Sequence, residues 1–299
     1  MTEKGEENAF NGFYQHTDSV YSVDLSEDGF KAISGGGDDL AYLWKCDVRS
    51  SEPLEFKALT GHSDSVISVS FNVDFSKILT ASMDGTIRVY SVSDGTFLKS
   101  LDGPSKEINW IKVHKNYDYV LSGSADGTCW TFNLSDLENP FMSAFARHLK
   151  SVSCGDFCDF EGTNAITASD DGQIFQWNYG DGSFERYLPN LNSQITNVSI
   201  SSQIIIASTV NGSCVVISLK SGNIAFQLDC GTTSVESASL CNFDKFVFAT
   251  SLDGSLGVWD ISTKRKRFKL NLKVFKIILE WNHCSQSIGY KTFNRLRVR

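Results

Sequence analysis

No stretch of this chain approaches the roughly 18 apolar residues of a membrane-spanning helix, and its opening residues, MTEKGEENAF, lack the apolar core of a secretory signal. Both absences predict an intracellular protein, cytoplasmic and free to enter the nucleus. Cys-x-x-Cys pairs are missing too, although 8 cysteines are present. The nearest approach is Cys154 and Cys158, which a predicted strand puts on one face, and no second pair or histidine stands at ligand spacing. The cysteines read as reduced, small apolar core residues, and neither a metal nor another cofactor is expected. Positive charge is in deficit: 27 Lys and Arg face 35 Asp and Glu, a formal net charge of −8. Such a surface repels phosphate backbones and attracts basic partners, so no direct nucleic-acid ligand is expected. The one run of opposite sign, KRKR at 264–267, reads as a solvated loop between two outer strands. Proline is scarce, 4 residues against 23 glycines, and the glycines sit mostly in Asp-Gly or Asn-Gly pairs that suit tight turns between strands.

What the chain does have is repetition. SGGGDDLAYLW at 34–44 returns as TASMDGTIRVY at 80–90, SGSADGTCWTF at 122–132, TASDDGQIFQW at 167–177, ASTVNGSCVVI at 207–217 and ATSLDGSLGVW at 249–259. Each copy divides by alternation and turns into four short strands, a to d. In the second copy these are predicted at Val66–Phe71, Lys77–Ala81, Thr86–Val92 and Thr96–Leu101.

A unit of about 40–45 residues with Gly-His near its start and Trp-Asp near its end resembles the WD40 family, whose repeat forms a four-stranded propeller blade. The resemblance implies an all-β, seven-bladed propeller, with strand a beginning near Ser19, Val66, Ile108, Val152, Ile195, Val235 and Lys276. The seventh unit ends at RLRVR without a d strand, and AFNGFY at 9–14 belongs to no unit of its own. The N-terminal strand is therefore expected to close the last blade, leaving no open sheet edge. Residues 1–8 then form a short flexible tail and 9–299 a single domain, expected to be a monomer.

The resemblance also assigns the polar residues inside a blade. His16, Ser34, Asp38 and Trp44 stand at the family's buried tetrad, in which Trp bonds Ser or Thr, that bonds His, and His bonds Asp. His148, Thr167, Asp171 and Trp177 make a second full set, and His62, Thr80 and Asp84 a third with Tyr90 replacing Trp. As residue types these resemble a hydrolase triad. The pattern repeats, however, and no nucleophile elbow or phosphate-binding Gly-Lys loop accompanies it, so no catalytic residue and no enzyme is expected. The third, fifth and sixth units depart from the tetrad and must rely on apolar packing.

In the family, the loops before strand a and the b–c turns form the rim on which protein partners dock. The residues at these positions include Asp18, Tyr21, Asp39, Asp64, Met83, Glu107, Asp170, Glu236 and Leu252. Acidic charge steers a basic segment and apolar side chains hold it, so this rim is the expected partner-binding surface.

HTDSVYSV followed by SGGGDDLAYLW, EINWIKVH followed by GSADGTCWTF, and SVESASLCNFDKFVFATSLDGSLGVWDI at 234–261 resemble one group more closely. It contains angio-associated migratory cell protein and the fungal dedicated chaperone of a basic large-subunit ribosomal protein, of the uL-sixteen or L-ten type. The resemblance implies a ribosome-biogenesis chaperone that captures a basic ribosomal protein segment for 60S assembly. A general scaffold or adaptor in signalling, trafficking or ubiquitin-ligase complexes is the competing expectation.

Overall fold

A computed structural model describes residues 15–46, 55–158, 163–241 and 245–271. The expected N-terminal tail, the closing strand at 9–14 and the seventh unit from Lys276 lie outside the described residues. Within them the chain forms six antiparallel sheets of four strands each. The first holds β1 (Val20–Leu25), β2 (Lys31–Gly36), β3 (Ala41–Lys45) and β4 (Phe56–Leu59). The second holds β5 (Val66–Phe71), β6 (Lys77–Ser82), β7 (Thr86–Ser91) and β8 (Phe97–Asp102). The third is β9 (Ile108–Val113), β10 (Tyr119–Ser124), β11 (Thr128–Asn133) and β12 (Phe141–Ala146). The fourth is β13 (Val152–Cys158), β14 (Asn164–Ser169), β15 (Ile174–Asn178) and β16 (Phe184–Tyr187). The fifth is β17 (Ile195–Ile200), β18 (Ile204–Thr209), β19 (Ser213–Ser218) and β20 (Ile224–Asp229). The sixth is β21 (Val235–Cys241), β22 (Phe246–Ser251), β23 (Ser255–Asp260) and β24 (Arg265–Asn271). In every sheet the strands follow chain order, each paired to the next.

The chain divides into two compact units: residues up to Val120 with Asn133–Pro140, and Leu121–Phe132 with everything from Phe141. In the first unit, Ile33, Ala41, Leu43 and Leu59 pack against Val66, Val69, Phe71, Ile78 and Tyr90, a dry core of facing sheets. Polar groups pin the same two sheets. The Ser22 hydroxyl accepts the Val69 N–H at 3.1 Å, and the Asp24 carboxylate accepts the Phe71 N–H at 2.9 Å and the Ser70 hydroxyl at 3.1 Å. In the second unit Cys154, Cys158, Ile166, Ile174, Ile195, Val198, Ile205 and Val215 form a comparable core. Cys154 and Cys158 are thus buried packing residues of β13.

Second strands such as β6, KILTAS, are buried on both faces after their first residue, whereas the outer β8, FLKSLD, buries only Leu101. The two patterns follow from position in the sheet: a strand covered on both faces must be apolar or hydrogen-bonded throughout. The Asp-Gly turns behave as their sequence predicts. At the β6–β7 hairpin Gly85 takes φ 84°, and Thr86 donates both its N–H and its hydroxyl to Asp84.

One expectation fails. Arg265, Lys266 and Arg267 lie within β24 rather than in a loop, and only Lys264 sits in the turn, with φ 56°. Asp260 causes this, because it accepts the Ser262 hydroxyl and the Thr263 N–H and pairs with Arg267, reversing the chain before the basic run begins. The cations then decorate an outer strand, where charge discourages further strand pairing.

Candidate functional site

The polar networks are built most completely in the first sheet. His16 Nδ1 lies 2.8 Å from Asp38 Oδ1, its Nε2 lies 2.8 Å from Ser34 Oγ, and Trp44 Nε1 donates to the same Oγ at 2.9 Å. Asp38 Oδ2 also accepts the Thr17 N–H, so the carboxylate clamps the loop before β1 to the β2–β3 turn. Burial works to raise the Asp38 carboxyl pKa, but the His16 and Thr17 hydrogen bonds prevail and lower it.

In the second sheet His62 bonds Asp84 at 2.8 Å and Thr80 at 2.7 Å. Tyr90, in the Trp position, donates its hydroxyl instead to the Thr60 carbonyl at 2.9 Å. Burial opposes ionisation of Asp84, yet bonds from Thr86 and His62 hold its pKa at about 2, while burial pushes the His62 pKa down.

The fourth sheet differs from expectation. His148 Nε2 and Trp177 Nε1 both reach Thr167 Oγ1, at 2.9 and 2.8 Å, but His148 Nδ1 stands 3.7 Å from Asp171 and makes no hydrogen bond. The ring is stacked on Phe175, with centroids 4.5 Å apart, and Asp171 is occupied by the Leu149 and Gln173 N–H groups. Burial drives the His148 pKa down to about 4. These three networks hold loops together, and nothing in their bonding leaves a nucleophile exposed to a general base.

A second recurring device shapes the rim. In five sheets the residue before the tetrad aspartate position donates its N–H to a carbonyl of the loop before strand a. The pairs are Gly37 to Ser19, Met83 to Ser65, Asp170 to Ser151, Val210 to Gln194 and Leu252 to Ser234, at 2.9–3.0 Å. The strand that follows then bulges: register shifts fall between Val20 and Ser22, Val66 and Ser68, Val152 and Cys154, Ile195 and Asn197, and Val235 and Ser237. Tyr21, Ile67, Ser153, Thr196 and Glu236 are the bulged residues. A bulge re-aims one side chain, and here it falls at the same place in the first strand of each of the five sheets, on the rim residues Tyr21 and Glu236 in two of them.

Within the first unit, Asp18, Tyr21, Asp64, Met83 and Glu107 are exposed and Asp39 is half-buried with φ 63°. Asp18 and Asp64 occupy equivalent places, each accepting the N–H of the next serine with Oδ1, at 2.6 and 2.7 Å. That bond fixes the direction of each carboxylate. The loops and turns at 15–19, 36–40, 60–65 and 82–86 contain no lysine or arginine. Lys106, exposed beside Glu107, makes the charge of the third loop mixed. Within the second unit, Glu236 and Leu252 are exposed, whereas burial and Asp171 raise the pKa of half-buried Asp170 despite nearby Lys150. Within the first unit the acidic positions free of a neighbouring loop cation are therefore those of the first two sheets.

Leu149 is the rim residue that sequence reasoning passed over. It is 88% exposed, directly after His148, where the other two networks carry Thr17 and Ser63. An apolar residue at a loop position that is polar in the sister repeats was the available signal.

Comparison with known proteins agrees with this architecture. The model of the family "WD domain, G-beta repeat" matches residues 9–45, 54–91 and 95–133. An uncharacterized WD repeat-containing protein of Schizosaccharomyces pombe is 33% identical over 87% of this chain and 67% of its own length. The ribosome assembly protein SQT1 of Saccharomyces cerevisiae is 37% identical over 29% of this chain and 20% of its own. Human angio-associated migratory cell protein is 25% identical over 90% of this chain and 64% of its own. The chain thus spans a fifth of the yeast protein in that alignment and about two thirds of the other two. The crystal structure of yeast Sqt1 superposes with a TM-score of 0.79 at 25% identity, covering 87% of this chain and 76% of that one. No helix among the described residues is long and apolar enough to cross a membrane. Six four-stranded sheets, the repeated His-Ser/Thr-Asp networks and a relative one third identical over 87% of this chain together establish that the chain belongs to the WD40-repeat family, propellers that generally act as non-catalytic scaffolds.

Proposed function

We propose that the chain is a protein-binding WD40 propeller that serves as a dedicated chaperone of a basic large-subunit ribosomal protein during ribosome assembly. The observation that carries this reading is the rim of the first two sheets. Asp18, Asp39 and Asp64 lie there with exposed Tyr21 and Met83, on loops and turns whose own sequence has no lysine or arginine, the nearby cation being Arg88 against Gly61. A lysine- or arginine-rich segment meets complementary charge and an apolar foothold on this surface, the combination that speeds encounter and slows release. Similarity to a yeast protein named for ribosome assembly supports the same partner class.

Capture from cell lysate with and without a translation inhibitor tests the proposal. A single abundant, newly made ribosomal protein should be recovered in near-stoichiometric amount and should vanish when synthesis stops. A set of partners that persists after synthesis stops would instead identify a general scaffold or adaptor, and would overturn the chaperone reading.

A further inference from the structure

Cys214 and Cys230 lie in the fifth sheet with their sulfurs 3.4 Å apart. Cys214 pairs with Leu228 across β19 and β20, and two residues on the Cys230 N–H donates to the Gly212 carbonyl at 2.9 Å. The two cysteines are therefore diagonal neighbours on one face of the sheet, and both side chains turn inward on that face. They are buried, at 0% and 3% exposure, against Val216, Leu228 and Trp259. Both are free thiols. Two thiols in contact need only small side-chain rotations to come within bonding distance.

We propose that Cys214 and Cys230 are an oxidation site, a thiol pair that closes to a disulfide by exchange with a low-molecular-weight disulfide. The Cys230 thiolate attacks one sulfur of the external disulfide and expels the other as a thiolate. Cys214 gives up its proton and attacks Cys230 Sγ, displacing the second external sulfur. Two protein thiols are oxidised, one small disulfide is reduced to two thiols, and the expelled sulfurs carry away the two protons.

The roles follow from the surroundings. Cys230 lies between exposed Asp229 and Gly231 at the end of β20, where a Cβ on Gly231, φ 139°, would meet open space while its carbonyl side faces Gly212. Displacement of residues 231–234 therefore uncovers Cys230 before Cys214, which is held inside β19. The Cys214 thiol and the Lys266 ammonium also favour the Cys230 thiolate, lowering its pKa, whereas the Cys214 pKa is raised. Residues 231–234 form the loop that leads to Glu236, so the disulfide would tether one rim loop to the sheet beneath it. This inference does not depend on the identity of the partner.

Incubation of the full-length protein with glutathione disulfide, then denaturation, alkylation and mass spectrometry, tests it. Of 8 cysteines, 2 should resist alkylation, and the tryptic peptides ending at Lys220 and Lys245 should be joined. Cys214→Ser should retain glutathione on Cys230, whereas Cys230→Ser should retain none on Cys214. Eight alkylated cysteines after oxidation, or a link between other residues, would overturn the proposal. The map of the unsubstituted protein decides this even if both variants fold poorly.

Discussion

His148 Nδ1 stands 3.7 Å from Asp171 Oδ2, beyond hydrogen-bonding reach, whereas the equivalent His62 and Asp84 are 2.8 Å apart. Asp84 also takes two bonds from Thr86, and Asp171 only backbone N–H groups from Leu149 and Gln173. Replacing each by asparagine separates these cases. Asp84→Asn should cost about 2 kcal/mol and Asp171→Asn about half as much, because the Asp84 carboxylate bonds His62, the Ser63 N–H and Thr86 twice and Asp171 bonds two backbone N–H groups. Urea unfolding midpoints of the two variants check the ranking, and equal losses would mean that His148 and Asp171 are bonded in solution.

The same histidine sets a pH dependence. Its pKa is about 4 in the folded chain against 6.5 for an ordinary histidine, so between those values the unfolded chain binds the proton and the folded chain does not. Stability is therefore full above pH 6.5 and falls as the pH drops toward 4, by up to about 3 kcal/mol from this residue. His62, whose pKa is also lowered, adds a loss of the same sign. Asp84 acts lower, since its carboxylate contribution is present above 3.8 and is lost as the pH falls toward 2. Unfolding midpoints from pH 7.5 to 4.5 should decline steadily, and His148→Gln should flatten the decline.

How much of this was legible in the sequence depends on what each residue touches. The strands could be read because β-branched and apolar residues dominate inner strands such as β6, KILTAS, and the Asp-Gly turns mark the hairpins. The tetrad positions could be read because the repeat aligns them. The missing bond in the fourth sheet could not, since it depends on Phe175 stacking under His148, where the second sheet has Arg88 and the first Tyr42. Nor could the bulges that aim Tyr21 and Glu236, because an extra residue in one strand is invisible until the partner register is known. The basic run at 264–267 was misplaced because its fate is decided by Asp260, which looks from sequence only like the terminal residue of a repeat.

Charge reversal on the first two sheets should weaken capture of a basic segment without unfolding the protein. Asp64→Lys and Asp18→Lys each change an exposed carboxylate whose one structural bond is to the next backbone N–H. Each should lower affinity for a lysine-rich peptide severalfold at low salt, with the difference shrinking as salt rises. Asp94→Lys, in the β7–β8 turn, supplies the comparison, because its carboxylate is also exposed and bonds to Thr96 within its own turn. Affinity unchanged in the two rim variants, or lowered equally in the third, would place the binding surface elsewhere.

The sixth sheet lacks a tetrad histidine and shows what replaces it. A Cβ added to Gly257 would lie 2.1 and 2.4 Å from atoms of the Trp259 indole, which folds back along β23 over the glycine. Trp259 is 4% exposed, packed with Val216, Leu228, Val247 and Ala249, and the Lys266 ammonium lies 4.8 Å from its ring centroid. The indole is thus held by apolar packing, without the serine bond that Trp44 makes in the first sheet, and the missing side chain at 257 makes room for it. Gly257→Ala must move a buried ring whose neighbours are close-packed, at a cost of about 2–3 kcal/mol. The loss should be accompanied by a change in tryptophan emission that is absent when the same substitution is made on a Trp259→Phe background. Because phenylalanine is smaller, that background should also recover part of the stability, so the two alterations should be less than additive. Full additivity would show that Gly257 and Trp259 act independently and that the sheet is held by other contacts.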